Sequence, residues 1–237
     1  MECLKFTLSG PMACFRKPET NSSVYLSYGN IHKVALIGLL GAIVGYSGYN
    51  QSGKDNLPEF YSKLRNLQIS IAPPKKNIQQ KINRFNNSTS FASQEDGGNL
   101  IVAESMLLNP CWDIYILDDG TPEYNQIKLA LQNQDFVYIP YLGRNDYHAN
   151  ISNFEILEAS IISEGQVVEF NSLFIGNLTD CIHNNYSKKD FLYVEKLPVA
   201  LDTQTYHYVY ENFILTTELL AAKDNAWSVT DNNLMFF

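Results

Sequence analysis

Hydrophobic and polar residues alternate over several short stretches of the chain, and this pattern predicts a strand-rich protein. In the first part of the chain, strands are predicted at 3–8, 67–72, 100–108, 112–117 and 136–139. Helices are predicted at 31–46, with Asn30 as the N-cap, at 57–64 and at 122–132.

The first of these helices is apolar on nearly every side, which predicts that it is buried. It contains Gly38, Gly41 and Gly45, which weaken a helix unless another backbone approaches closely. The neighbour is either the sheet or a bound RNA strand, and we expect the sheet.

The order of these elements predicts an α+β fold, an RRM-like or ferredoxin-like sandwich over residues 1–150. A polar, basic stretch, a turn at 96–99 and the strand at 100–108 together predict a protruding hairpin, or arm, at about 75–105. Residues 151–237 are predicted as a β-rich C-terminal subdomain, packed as a small sheet against the first domain. Its predicted strands are a hairpin of 154–163 with 166–174, then 191–194 and 205–215.

The charge distribution changes the picture given by the net charge of −8. Residues 1–94 contain eleven Lys and Arg against four acidic residues, whereas 95–237 contain six against twenty-one. A chain with this asymmetry can present a basic face to phosphates while its other part stays acidic. The same residues could equally be a solvated surface.

Several functional classes find no support in the residues. The four Cys and four His are scattered, so we expect no metal, no redox site and no cofactor. The first residues lack a secretory signal, and the apolar stretch 34–46 is too short to span a bilayer, so we expect a cytoplasmic protein. No catalytic motif is present; Asp118-Asp119 beside Gly120 is typical of a turn.

Basic and aromatic residues provide the candidate site. Arg16 and Lys17 lie in a loop before the buried helix, and Lys33 lies in its first turn, where anions are favoured. The arm contributes charge for phosphates and an aromatic ring for a base, as single-stranded RNA requires. Its candidates are Lys75, Lys76, Lys81, Arg84 and Phe85, beside Phe91. A small local core under the arm is the alternative role for the two Phe residues.

The N-terminal region resembles the Cas-five family of CRISPR-associated proteins in the RAMP superfamily, and more narrowly its type I-B branch. The specific part is GPMACFRKP at 10–18, then Ser22-Ser23, then the glycine-rich GLLGAIVGY at 38–46. The segment from Asn109-Pro110 to PYLGR at 140–144 matches more loosely.

This resemblance implies a non-catalytic subunit of a Cascade interference complex, a ribonucleoprotein in antiviral defence. It implies an RRM-like domain with a thumb hairpin, holding the 5′ handle of the guide crRNA and contacting the backbone subunit and the large subunit. Target DNA is then met only indirectly, through the complex. By position, the resemblance places Arg16, Lys17 and Lys33 at the handle, and Tyr46 and Arg144 are added as RNA-binding candidates.

Two other functions remain open. Type I-C relatives cleave the precursor RNA with a tyrosine and a lysine–histidine pair, so a metal-independent endoribonuclease is the first. This chain has only the reversed pair His32-Lys33, which makes His32 the candidate acid or base. The second is a purely protein-binding module whose acidic C-terminal part docks a basic partner.

Overall fold

The protein is a strand-rich mixed α/β fold, as seen in a computed structural model that describes residues 1–19, 24–52, 56–74, 78–88, 94, 96, 98–177 and 191–237. Within these residues the helices are α1 Lys33–Val44, α2 Glu59–Leu64 and α3 Pro122–Asn133. The strands of the first part are β1 Glu2–Ser9, β2 Met12–Ala13, β3 Ile69–Ala72, β4 Gln79–Asn86, β5 Ile101–Leu108 and β6 Cys111–Leu117. The later strands are β7 Asn150–Ile161, β8 Val167–Glu169, β9 Phe174–Ile175, β10 Leu192–Leu201, β11 Tyr208–Thr216, β12 Leu219–Ala221, β13 Ala226–Val229 and β14 Asn232–Met235.

The central sheet has the strand order β14-β13-β7-β1-β6-β3, and all its pairings are antiparallel. Its middle strand β1 pairs with β6 on one edge and β7 on the other. Alternate residues Leu4, Phe6 and Leu8 are completely buried in one apolar cluster with residues of α1 and α3. The helices therefore cover one face of this sheet, as alternating burial along β1 predicts.

Helix α1 begins after His32, so the prediction of Asn30 as N-cap is wrong. The His32 Nδ1 accepts a hydrogen bond from the backbone N–H of Ala35 (3.2 Å). Asn30 instead accepts a bond from the indole N–H of Trp112 (2.9 Å) and is buried. Asn30 thus provides the acceptor for the buried Trp112 N–H, and His32 caps the helix instead.

Two glycines in and beside α1 have different structural reasons. Gly45 ends the helix in the left-handed conformation (φ +86°), which favours glycine. A Cβ on Gly41 would lie 2.4 Å from the Cβ of Phe60. The expected close approach is therefore made by helix α2, not by the sheet.

Two strand predictions are wrong. Residues 136–139 form no strand; Val137 donates its N–H to the carbonyl of Ile43 at the end of α1 (3.0 Å), so the segment closes over that helix. The predicted hairpin of 154–163 with 166–174 does not form either, because β7 uses both of its edges for β1 and β13. Strand β8 pairs with β12 instead.

The C-terminal part also adds strands to the central sheet. Strands β12, β13 and β14 were not predicted, because three or four residues are too short to give a readable alternation. Since β7, β13 and β14 share one sheet with β1, hydrogen-bonded pairing crosses residue 150. The domain boundary placed there stays a prediction.

Strands β4 and β5 form a separate antiparallel pair, extended by β2, which we call the arm sheet. The register pairs Phe85 with Val102 and Asn83 with Glu104. Residues opposite each other in such a ladder share a face, so these four side chains lie on one face of the arm sheet.

Candidate functional site

A wide groove separates α1 from the arm sheet, and we call it the central groove. Its volume is about 1430 Å³, larger than the roughly 300–1,000 Å³ of pockets for small molecules. It is lined by α1, the arm sheet, the segment 137–148 and parts of the loops 14–16 and 48–51. A groove of this size suits an extended ligand.

Small residues of α1 keep the floor of the groove open. Ala35, Gly38 and Ala42 lie on one side of the helix and line the groove. A Cβ at Gly38 would meet only the Phe60 ring, at 3.6 Å, which is an ordinary contact. Tight packing therefore does not explain the glycine at 38. Its missing side chain instead leaves the groove floor open.

Exposed apolar and aromatic side chains form the rim of the groove. Tyr138 is 57% exposed and Ile139 is 74% exposed, in the segment that the sequence pattern wrongly predicts as a strand. Other exposed members of the rim are Tyr49, Leu100, Val137 and Tyr141. A contiguous exposed patch of this kind is typical of a binding surface.

Arg16 brings a positive charge to one wall of the groove. Its guanidinium carbon lies 3.5 Å from the ring centre of Tyr25, a close cation–π contact. Both residues line the groove, and no ion pair joins Arg16 to an acidic side chain in the described part of the chain. Arg16 can thus offer its guanidinium edge to a ligand.

A second arginine on the same groove is bound by carboxylates. Arg144 Nη1 donates to Glu104 Oε1 (2.7 Å), and Arg144 Nε and Nη2 donate to the two oxygens of Asp146 (3.0 and 3.2 Å). The Tyr147 hydroxyl also donates to Glu104 Oε1 (2.8 Å). The guanidinium carbon lies 4.9 Å from the Phe85 ring centre, so arginine and ring are stacked together.

Of the remaining predicted residues, Tyr46 lines the groove, whereas Lys17, Lys81 and Arg84 do not. Lys63 Nζ lies 4.4 Å above the Tyr46 ring, and the Tyr46 hydroxyl donates to Gln126. Lys17 instead forms an ion pair with Glu195 of β10 (2.6 Å). Lys81 and Arg84 are exposed on β4 but do not line the groove. Lys75, Lys76 and Phe91 lie outside the described residues.

Lys33 is buried at the start of α1 and does not face the groove. Burial lowers the pKa of its ammonium group to about 8. No hydrogen bond or ion pair links it to another described residue. The sequence analysis did not identify Glu104, Tyr25 or the rim at 137–141 as parts of the site. The run of apolar and aromatic residues at 137–141 was the signal that could have indicated the rim.

His32 also lines the groove, but its surroundings are those of a structural residue. It packs edge-on against the rings of Tyr28 (5.3 Å) and Tyr208 (5.4 Å), and its Nδ1 caps α1. Burial lowers its pKa from 6.5 to about 3. The imidazole is therefore neutral in the folded protein at physiological pH.

This burial predicts that acid destabilises the fold through His32. Between pH 7 and 5 the unfolded chain gains a proton at His32 and the folded chain does not. Stability therefore falls, by about 2 kcal/mol for this residue. His32→Asn, which keeps a capping side chain, should remove that part of the pH dependence in urea unfolding. His207→Asn, at an exposed site, is the control; identical pH dependence in all three proteins would contradict the prediction.

Metal and membrane features are absent from the described regions. No cluster of three or more His, Cys, Asp or Glu is placed there to hold a metal ion. None of the helices described combines the length and apolar character needed to span a membrane.

Comparison with known proteins gives one family match. The family described as "CRISPR-associated protein (Cas_Cas5)" matches residues 3–213. No curated protein sequence matches the chain.

Solved structures share the fold at low identity. A chain of a "CRISPR RNA-guided surveillance complex" is 14% identical, with a TM-score of 0.54 over 93% of this chain and 91% of that one. A CRISPR protein from Archaeoglobus fulgidus is 8% identical, with a TM-score of 0.53 over 99% and 98%. A chain of Type III-B Cmr-beta bound to cognate target RNA and AMPPnP is 10% identical, with a TM-score of 0.51 over 92% and 86%.

Proposed function

We propose a function from one premise: this chain belongs to the CRISPR-associated protein (Cas_Cas5) family. Its function is that of a subunit of a type I Cascade interference complex that binds the 5′ handle of the guide crRNA in the central groove. The observation that carries this proposal is the pairing of Arg16 with the Tyr25 ring on a groove with an aromatic rim. Single-stranded RNA is held by that combination of cation and exposed ring.

The fold supports this proposal. The strand order β7-β1-β6-β3, with α1 after β1 and α3 after β6, is the order expected of an RRM-like unit. We assign the β4–β5 pair as the thumb of the family. The thumb and α1 then face each other across the groove, so that RNA passes between them.

The subunit acts without catalysis in this proposal. His32, the candidate acid or base of the endoribonuclease reading, is 4% exposed and its Nδ1 is used by the helix cap. Both features argue against proton transfer to a bound ribose. A discrete product from labelled repeat RNA, lost on His32→Ala, would overturn this view.

The family match supports membership of a complex, and the specific partners are part of this proposal. The chain contacts the backbone and large subunits of Cascade in the cytoplasm and meets target DNA only through the complex. The type I-B assignment stays a prediction. An acidic C-terminal part suits contact with basic protein surfaces better than contact with RNA.

Arg16→Ala should lower RNA retention. Loss of one arginine–phosphate contact is expected to weaken binding about tenfold and to reduce the slope of log affinity against log salt by about 0.7–1. The measurement is the affinity of the purified full chain for labelled repeat RNA at several salt concentrations.

Arg65→Ala is the matched control, because Arg65 is exposed and does not line the groove. It removes the same charge and should leave both the affinity and the salt slope nearly unchanged. Equal losses in the two variants would mean that RNA responds to total charge and not to this groove.

A further inference from the structure

A cluster on the wall of the central groove is acidic, and we call it the acidic corner: Glu104 and Arg144, which line the groove, with their hydrogen-bond partners Asp146 and Tyr147. Two carboxylates face one guanidinium there, so the corner has one net negative charge. Glu104 lines the groove although only 5% of it is exposed. Its Oε1 accepts from both Arg144 and Tyr147, whereas no described residue donates to its Oε2.

Two stacked arginine–aromatic pairs flank this carboxylate. Tyr25 lies beside Glu104 through a backbone bridge, with Arg16 on its ring. Phe85 lies opposite Val102, two residues along β5 from Glu104, with Arg144 on its ring. Flat surfaces therefore lie beside a carboxylate that is mostly buried but whose Oε2 is not among the buried oxygens that lack a partner, so Oε2 remains open to a ligand in the groove.

Glu104 and its partners disfavour a phosphate, which Arg16 on the Tyr25 ring attracts instead. The three N–H groups of Arg144 that face its partners are already bound to carboxylates, and a phosphate would meet the charge of Glu104 at short range. A nucleobase is neutral and stacks on flat groups, and its amino group can donate to a carboxylate. The acceptor Oε2 is thus matched by a base and not by the RNA backbone.

We propose that the acidic corner is a base-selective subsite, in which Glu104 Oε2 accepts a hydrogen bond from the exocyclic amino group of one nucleobase. Adenine, cytosine and guanine carry such a group and uracil does not. Glu104 is then a specificity-determining residue that disfavours uracil at one position of the bound RNA. The only base donor of uracil, N3–H, lies between two carbonyl oxygens that a carboxylate repels. This inference rests on the proposed function, because it requires that RNA occupies the groove.

The test is retention of random eight-nucleotide RNAs by the full chain, followed by sequencing of the retained pool. The wild type should show uracil depleted at one position, roughly tenfold or more. Glu104→Gln keeps an oxygen for Arg144 and Tyr147, so its NH₂ takes the place of Oε2. An N–H donor favours the carbonyl groups of uracil, so the depletion of uracil should disappear in the pool that this variant retains.

Glu158→Gln is the control. Glu158 is exposed on β7, and its substitution removes the same charge as Glu104→Gln. It should keep the wild-type depletion of uracil. Retention without base preference in the wild type, or an unchanged preference in Glu104→Gln, overturns this inference and leaves RNA binding intact. Absence of any retained RNA in the wild type overturns the proposed function as well.

Discussion

Gly143→Ala is expected to lower the free energy of unfolding by about 4 kcal/mol. Gly143 has φ +84°, and a Cβ there would lie 1.9 Å from the carbonyl oxygen of Cys14. Cys14 donates its N–H to Leu142 (3.1 Å), so the two segments are held together and the clash cannot be relieved by a side-chain rotation. Urea unfolding measures the loss.

Gly165→Ala is the control that measures the cost of backbone strain without a steric clash. Gly165 has φ +80°, nearly the same conformation, but nothing lies within 4 Å of its added Cβ. It should cost only the left-handed strain of about 1–2 kcal/mol. If both variants lose the same stability, the Cys14 carbonyl is not the reason for glycine at 143.

Gly41→Ala and Gly38→Ala are expected to change stability in opposite directions, although both lie in α1. Both gain up to about 1 kcal/mol of helix propensity. At Gly41 the new Cβ would lie 2.4 Å from the Cβ of Phe60, and overpacking should outweigh that gain by about 2 kcal/mol. At Gly38 the nearest atom is 3.6 Å away, so the gain should remain.

Thermal unfolding of the two variants tests this pair. Gain of stability in both would mean that helix propensity, and not the approach of α2, governs this helix. Loss of stability in both would mean that crowding against Phe60 extends to Gly38.

The sequence predicted most strands and all three helices of the described regions, because their apolar residues follow regular periods. The resemblance to the Cas-five family is confirmed by the family match over residues 3–213. Which strands pair with each other was harder to predict from the sequence. Nothing local to 154–174 indicates that β7 is already paired on both edges by strands distant in the chain.

The candidate site was predicted only in part, for a physical reason. Charge and aromatic character predicted Arg16 and Phe85, and Tyr46 and Arg144 were added with the family resemblance. All four line the groove. Local sequence does not reveal that Lys17 is neutralised by Glu195, 178 residues away, or that Lys33 is buried. It also gives no sign that Glu104, in the middle of a strand, opens onto the groove.

Strand β1 is synthesised long before the strands that pair with it, β6 and β7. Its partner residues for Cys3 and Glu2 are Leu117 and Glu158. During synthesis on the ribosome both edges of this apolar strand remain open until those residues have emerged, and open edges promote aggregation. We therefore expect the nascent chain to aggregate most readily before residue 158 has emerged.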